Sequence, residues 1–251
     1  MTMQPPGEVP ERLKIGVLIP STNTIVEPEF FSMLPAGVTA HAGRMLVSQP
    51  NTSTDALYRN LSTQMLDALE PTVSNLVTCL PGHLALCMSA MAFGGGREGD
   101  DSLRDKLETM TGIPVSTGPS AMMTALRALD VARVLVLSPF QPASHDEAVS
   151  YFEQNGIEVV GSYTFMATST IAIAKFGPDE IRAAIADNDS DGADAIIQVG
   201  TNMRMARLAA ATEWWLGKPV LHINTVMAWN AMRSSGIQDR VEGFGSLLSQ
   251  H

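Results

Sequence analysis

Four short stretches carry residue types that could grip and transform a small molecule: Pro20-Ser21-Thr22-Asn23, Cys87-Met88-Ser89, Ser138-Pro139-Phe140-Gln141 and Gly200-Thr201-Asn202. Cys87 is the sharpest candidate. A thiolate adds to an activated alkene and a thiol protonates a carbanion, provided that nearby donors or a helix N-terminus tune its pKa. The competing role is that of a buried strand cysteine, since cysteine is among the residues most often buried. Cys79, ahead of Leu80-Pro81-Gly82, reads as structural. Asn23, with Ser21 and Thr22, offers donors for a carboxylate, whose two oxygens accept several charge-assisted bonds. The same Asn suits the cap of a helix entering near residues 25–27, and the two roles are compatible because helix N-termini attract anions. Ser89, Thr201 and Asn202 add matching donors, and Gly200 lets backbone approach a ligand closely.

Other polar residues read as structural. His145 and Asp146 are expected as exposed residues of a first helical turn, and His222 as a satisfied core histidine within a strand. The five histidines and two cysteines lack metal-ligand spacing, so no metal is expected. Gly94-Gly95-Gly96 reads as a flexible turn. No G-x-G-x-x-G follows the first strand, so no dinucleotide cofactor is expected.

Strand-like and helix-like runs alternate along the chain, the pattern of parallel sheets with crossover helices. Strands are expected over 14–20, 39–47, 83–88, 113–116, 132–138, 157–164, 194–199 and 219–223. Helices are expected over 26–34, 54–70, 100–111, 119–129, 144–155, 178–187, 203–216 and 226–235. The pattern repeats: Gly112-Ile113-Pro114-Val115 is echoed by Gly217-Lys218-Pro219-Val220, and the run 14–21 by 132–139. The expected fold is α/β, with two pseudo-symmetric Rossmann-like (flavodoxin-like) parallel-sheet units and a cleft between them. The units are 12–117 and 118–223, with 224–248 packing back on the first and 1–11 as a flexible arm. Ligands of open parallel sheets bind beyond the carboxyl ends of strands. All four stretches named above lie at such ends, and the repeat makes Cys87 and Gly200 counterparts.

Bulk composition narrows the function. The 251 residues are 45% hydrophobic and 17% charged, ordinary for a chain with a proper core. A net charge of −10 argues against a nucleic-acid partner. No apolar run is long enough to span a bilayer, and the Pro-rich, polar start is no secretory signal. Two cysteines cannot make a disulfide framework, so a cytoplasmic location is expected.

The stretch Gly16 to Thr24 with Glu27 and Glu29, the segment Cys87-Met88-Ser89, and the segment Gln198 to Met205 followed by Leu216 to Val220 resemble the aspartate/glutamate racemase superfamily. The similarity is to its branch of maleate cis–trans isomerases and arylmalonate decarboxylases, and covers about Arg12 to Ile237. The resemblance implies cofactor-free chemistry at the carbon alpha to a carboxylate of a small (di)carboxylic acid, with Asn23 on the carboxylate. Phe140 stands where relatives often carry a Tyr, and Gly200 where the second catalytic cysteine stands. A one-residue shift near Phe93–Gly96 would put Met88, rather than Cys87, in the first cysteine's place. With one thiol, two-base racemisation lacks an acid on one face. Isomerisation of a cis-butenedioate through Cys87 is the leading expectation. Decarboxylation of a malonate-like acid, or carboxylate binding without thiol chemistry, are the alternatives. Relatives and Met-rich helices make a homo-oligomer an expectation.

Overall fold

The computed structural model describes residues 10–251. The arm expected over 1–11 therefore lies outside the described residues, apart from its last two. The first half runs β1 (Leu13–Pro20), α1 (Val26–Met33), β2 (Val38–Met45), α2 (Asp55–Leu76), β3 (His83–Leu86), α3 (Ser89–Phe93), α4 (Gly96–Thr111) and β4 (Val115–Thr117). The second runs α5 (Gly118–Ala128), β5 (Arg133–Ser138), α6 (Pro142–Gln154), β6 (Glu158–Thr164), α7 (Thr170–Ile173), α8 (Pro178–Asn188), β7 (Ala195–Gln198), α9 (Ala206–Leu216), β8 (Val220–His222), α10 (Ile223–Ser234) and α11 (Ser246–Gln250).

The duplication read in the sequence is present in the sheets. Their strand orders are β2-β1-β3-β4 and β6-β5-β7-β8, every pair parallel. Central strands are apolar almost throughout because both faces are covered, as in β1, where seven of eight residues are buried. Helices α4 and α9 end alike: Gly112 and Gly217 take φ of 68° and return their N–H groups to Glu108 and Glu213, a left-handed cap that glycine adopts without strain.

One apolar core joins the two sheets. It holds Val17 and Ile19 of β1, Val134 and Val136 of β5, Ile197 of β7 and the buried faces of α1, α5 and α10. Helix α10 packs on α5 and α1 and also on β3 and β4, so this last long helix returns from the second sheet to cover the first. Met122, Met123, Met227 and Met232 belong to this core, and Met203 and Met205 to a second one behind β7. Among the described residues no helix is long and apolar enough to cross a membrane.

The sequence expectations miss in identifiable places. Helix α2 runs through Pro71 to Leu76 rather than stopping at 70. Val73 and Leu76 are buried beyond the proline, and Gly43 leaves room for them: a methyl there would stand 2.9 Å from Thr72 Cγ2. Burying that last turn outweighs the hydrogen bond that proline removes. Short α3, α7 and α11 carry too little periodicity to be seen. His145 is buried rather than exposed, because its Nδ1 lies 2.8 Å from Ser138 Oγ at the end of β5.

Candidate active site

The carboxyl ends of β1, β3, β5 and β7 meet at one cleft, lined by Pro20, Thr22, Asn23, Met88, Ser89, Met91, Phe140, Gly200, Thr201 and Asn202. Leu61 and Met65 of α2 and Thr170 and Ile173 of α7 complete it. It stands nearly closed, with a cavity of about 50 Å³, well below the roughly 300–1,000 Å³ of drug-sized sites. A larger hollow over Arg204, Arg207 and Phe244 is lined by none of these strand-end residues. Of the described residues lining the cleft, none is charged. One wall is apolar, from Leu61, Met65, Met88, Met91, Phe140 and Ile173; the other is hydroxyl and amide.

The donors are held by one another across the boundary between the halves. Asn23 Oδ1 accepts the Ile25 and Val26 amides, capping α1, while its Nδ2 donates to Thr201 Oγ1 at 3.2 Å. The Thr201 amide donates to Ser89 Oγ at 3.3 Å, and Thr201 Oγ1 to the Cys87 carbonyl at 3.3 Å. Asn202 accepts from the Thr24 amide through Oδ1 and donates from Nδ2 to the Thr170 carbonyl. Thr22 Oγ1 donates to Thr170 Oγ1. Several of these neutral bonds are long, at 3.2–3.3 Å.

Eight expected site residues thus line the cleft: Thr22, Asn23, Met88, Ser89, Phe140, Gly200, Thr201 and Asn202. Ser21 does not. Its hydroxyl turns away to accept the Val47 amide at 2.9 Å, tying the end of β1 to the chain beyond β2.

Cys87 does not line the cleft either, and the reason is strand register. The Cys87 amide donates to the Leu18 carbonyl, and the Val199 amide to the Leu137 carbonyl. Leu86 pairs with Leu18 and Thr117, and Gln198 with Leu137 and His222. Cys87 is therefore the counterpart of Val199, and Met88 that of Gly200, one residue on from the pairing expected from sequence. Side chains alternate along a strand, so Ala85 and Cys87 face the core between the sheets while Leu84, Leu86 and Met88 face the other side. Cys87 is fully buried. Burial pushes its thiol well above the ordinary range, so it is held protonated.

Gly200 is a tight fit. A methyl at this position would overlap Cγ and Cδ of Pro139 and lie 3.1 Å from Gln198 Nε2. Behind it is a buried polar group that sequence reasoning did not assemble. Glu29 Oε2 accepts from Asn224 Nδ2 and lies 2.8 Å from His222 Nε2, and Glu29 Oε1 accepts the Met205 and Ala206 amides. Burial pushes the Glu29 carboxyl up, but the attraction of His222 and the bonds from His222, Ala206 and Asn224 outweigh it and hold it below its ordinary value. Each residue carried its own signal, Glu29 in the opening motif and His222 at a strand end, but 193 positions separate them. Thr170 and Ile173 were missed because α7 is a single turn. Among the described residues no group of three or more His, Cys, Asp or Glu side chains is placed to hold a metal.

Comparison with known proteins bears on this cleft. The profile of the family described as arylmalonate decarboxylase matches residues 15–248. The maleate isomerase of Pseudomonas putida is 24% identical over 94% of this chain and 97% of its own length. The arylmalonate decarboxylase of Bordetella bronchiseptica is 23% identical over 66% of this chain and 71% of its own. Among solved structures, the maleate cis–trans isomerase of Nocardia farcinica, captured with a covalently bound succinylcysteine intermediate, superposes with a TM-score of 0.86 at 23% identity, over 95% of this chain and 99% of that one.

Proposed function

The chain belongs to the arylmalonate decarboxylase family, and on that premise we propose that its cleft binds a small carboxylic acid. The reaction proposed is cofactor-independent and takes place at the carbon alpha to the carboxylate, by cis–trans isomerisation of the maleate-isomerase kind. One observation carries the reading: neutral donors from both halves, Asn23, Ser89, Thr201 and Asn202, converge on one cleft at the strand ends. Such donors stabilise the enediolate that forms when charge moves onto the carboxylate.

The isomerisation needs one thiol. Deprotonated Cys87 attacks one alkene carbon, and the displaced electron pair is held as an enediolate. The former double bond rotates, the pair returns, and the C–S bond breaks to release the trans acid and the thiolate. The succinylcysteine of the Nocardia farcinica relative is an adduct of this kind. In the closed cleft Cys87 lies behind the wall and is protonated, so the step requires an opening that exposes Sγ to solvent, which takes the thiol proton before attack and returns it after the thiolate leaves.

A second reading is favoured by Met88 standing opposite Gly200: carboxylate binding, or turnover, in which Cys87 takes no part. Decarboxylation of a 2-substituted malonate, with the thiol protonating the enediolate, is the third. NMR of maleate and of 2-phenylmalonate incubated with wild type and Cys87→Ala separates them. Conversion of maleate that disappears in Cys87→Ala, while maleate still raises Tm, supports the thiol route. Equal turnover in both proteins supports the second reading, and loss of CO2 from phenylmalonate the third. If neither acid raises Tm and neither is converted, the proposal fails. A homo-oligomer belongs to the same reading, with Trp214 and Trp215, 88% and 59% exposed, as the apolar surface a second copy would cover; a monomer in sedimentation at micromolar concentration overturns it.

A further inference from the structure

The polar group behind Gly200 does more than fill space. Gly200, Thr201 and Asn202 present two peptide units to the cleft, and each is gripped from behind by its carbonyl. Gln198 Nε2 donates to the Gly200 carbonyl at 3.1 Å, and Asn224 Nδ2 to the Thr201 carbonyl at 2.9 Å. A trans peptide points its N–H opposite to its C=O. Holding the Gly200 carbonyl back therefore turns the Thr201 amide forward, where it meets Ser89 Oγ in the cleft wall. Holding the Thr201 carbonyl back turns the Asn202 amide away from the buried group in the same manner.

Both grips lead to one carboxylate. Gln198 Oε1 lies 2.6 Å from His222 Nδ1, and His222 Nε2 lies 2.8 Å from Glu29 Oε2. Asn224 Nδ2 donates to that same oxygen at 2.6 Å. The other oxygen takes the Met205 and Ala206 amides, fixing the far end of the loop at the start of α9. Gln198, His222 and Asn224 are fully buried, so water offers these three no easy substitute, while Glu29, 8% exposed, borders the hollow over Arg204 and Arg207.

We infer that Glu29 is the positioning residue of the cleft: through His222 and Gln198 on one branch, and Asn224 on the other, it aims the Thr201 and Asn202 amides at a bound carboxylate. This rests on the carboxylate reading above. Its part is orientation, because Glu29 is not among the residues that line the cleft.

The test uses the full-length 15N-labelled chain, with succinate as an unreactive diacid probe. Glu29→Gln keeps size and shape, but its amide sets donor against donor on one side, at His222 and Asn224 or at the Met205 and Ala206 amides. The Thr201 and Asn202 amide resonances both move in the free protein, and succinate binds roughly tenfold more weakly, as expected for a lost bond to a charged group. Gln198→Met and Asn224→Ala each cut one branch, and they serve also if Glu29→Gln does not fold. Gln198→Met moves the Thr201 amide alone, and Asn224→Ala the Asn202 amide alone. Folded variants whose two amides stay in place, or move together whichever branch is cut, overturn the inference. If wild type binds no succinate yet the amides move branch by branch, the positioning holds and the ligand reading is what fails.

Discussion

Leu86 and Gln198 occupy the same place in the two sheets, and so do Thr117 and His222. The first half thus carries an apolar residue and a hydroxyl where the second carries a hydrogen-bonded amide–imidazole pair. Behind each of these two spots stands one buried carboxylate, and both come from the first half, Glu29 from α1 and Asp100 from α4. Glu29 stands beside His222 and accepts bonds on both oxygens. Asp100 stands beside Thr117 and accepts a long bond from the Tyr151 hydroxyl, at 3.4 Å. The two respond oppositely. Glu29 is held below its ordinary value, whereas burial pushes Asp100 up to about 6, against the offsets of Thr117, Arg104 and Tyr151. A duplicated scaffold thus keeps its strand order while its two strand ends diverge. The elaborate end is the one whose backbone must be aimed, and the plain end contributes side chains, Met88 and Ser89.

The comparison can be broken at several points, the largest effect first. Glu29→Ala leaves His222, Asn224 and two loop amides without their acceptor and is expected to cost about 3–5 kcal/mol in urea unfolding, the usual result of removing one partner of a buried charged group. A loss below 1 kcal/mol would show that the group is solvated and the contrast with Asp100 unreal. Gly200→Ala forces the new methyl onto Pro139 and is expected to cost about 1–3 kcal/mol by overpacking. The double variant Pro139→Ala/Gly200→Ala recovers most of that, because the overlapping ring atoms are gone; additive losses would place the strain elsewhere.

The carboxylates give a pH test, of about 3 kcal/mol at Asp100. Asp100 has a folded pKa raised from 3.8 to about 6, so the unfolded chain releases this proton first. The stability it costs appears as pH rises through 4 to 6. Asp100→Asn is therefore expected to be more stable than wild type at pH 7 and to lose that advantage below pH 4. Glu29 has the opposite sign: its contribution is present above about 4.5, its ordinary value, and is lost as pH falls through its lower folded value. Parallel stability curves for wild type and Asp100→Asn between pH 4 and 7 would refute the assignment. The smallest effect concerns Cys87. Its thiol is expected to resist Ellman's reagent in the native protein, while Met88→Cys, one residue along and facing the cleft, reacts readily. Equal rates at the two positions would erase the distinction between core-facing and cleft-facing residues.

Much of this was legible beforehand. The periodicities and the echo between the halves located all eight strands and the cleft at their carboxyl ends, because a parallel α/β chain writes its layers as alternating apolar runs. The phase at a strand end was not legible. A shift of one residue exchanges the two faces of a strand, and an apolar run such as His83 to Met88 looks the same in either phase. That is why Cys87 was expected in the cleft, opposite Gly200, where the structure has Met88. Glu29, Gln198, His222 and Asn224 were unreadable as a group for another reason: nothing local marks four polar residues as partners when four separate elements, α1, β7, β8 and α10, bring them together. Pro71 misled through a sound rule, overridden by the core behind it.

The contact between Gly200 and Pro139 also bears on ancestry. Any lineage holding this pair meets a barrier to placing sulfur at position 200, since a single codon change there arrives before there is space for it. The ring at 139 would have to be lost first, a step with no catalytic reward of its own. Directed evolution towards a two-cysteine enzyme should accordingly begin from libraries that vary 139 and 200 together, where neither change alone would survive selection.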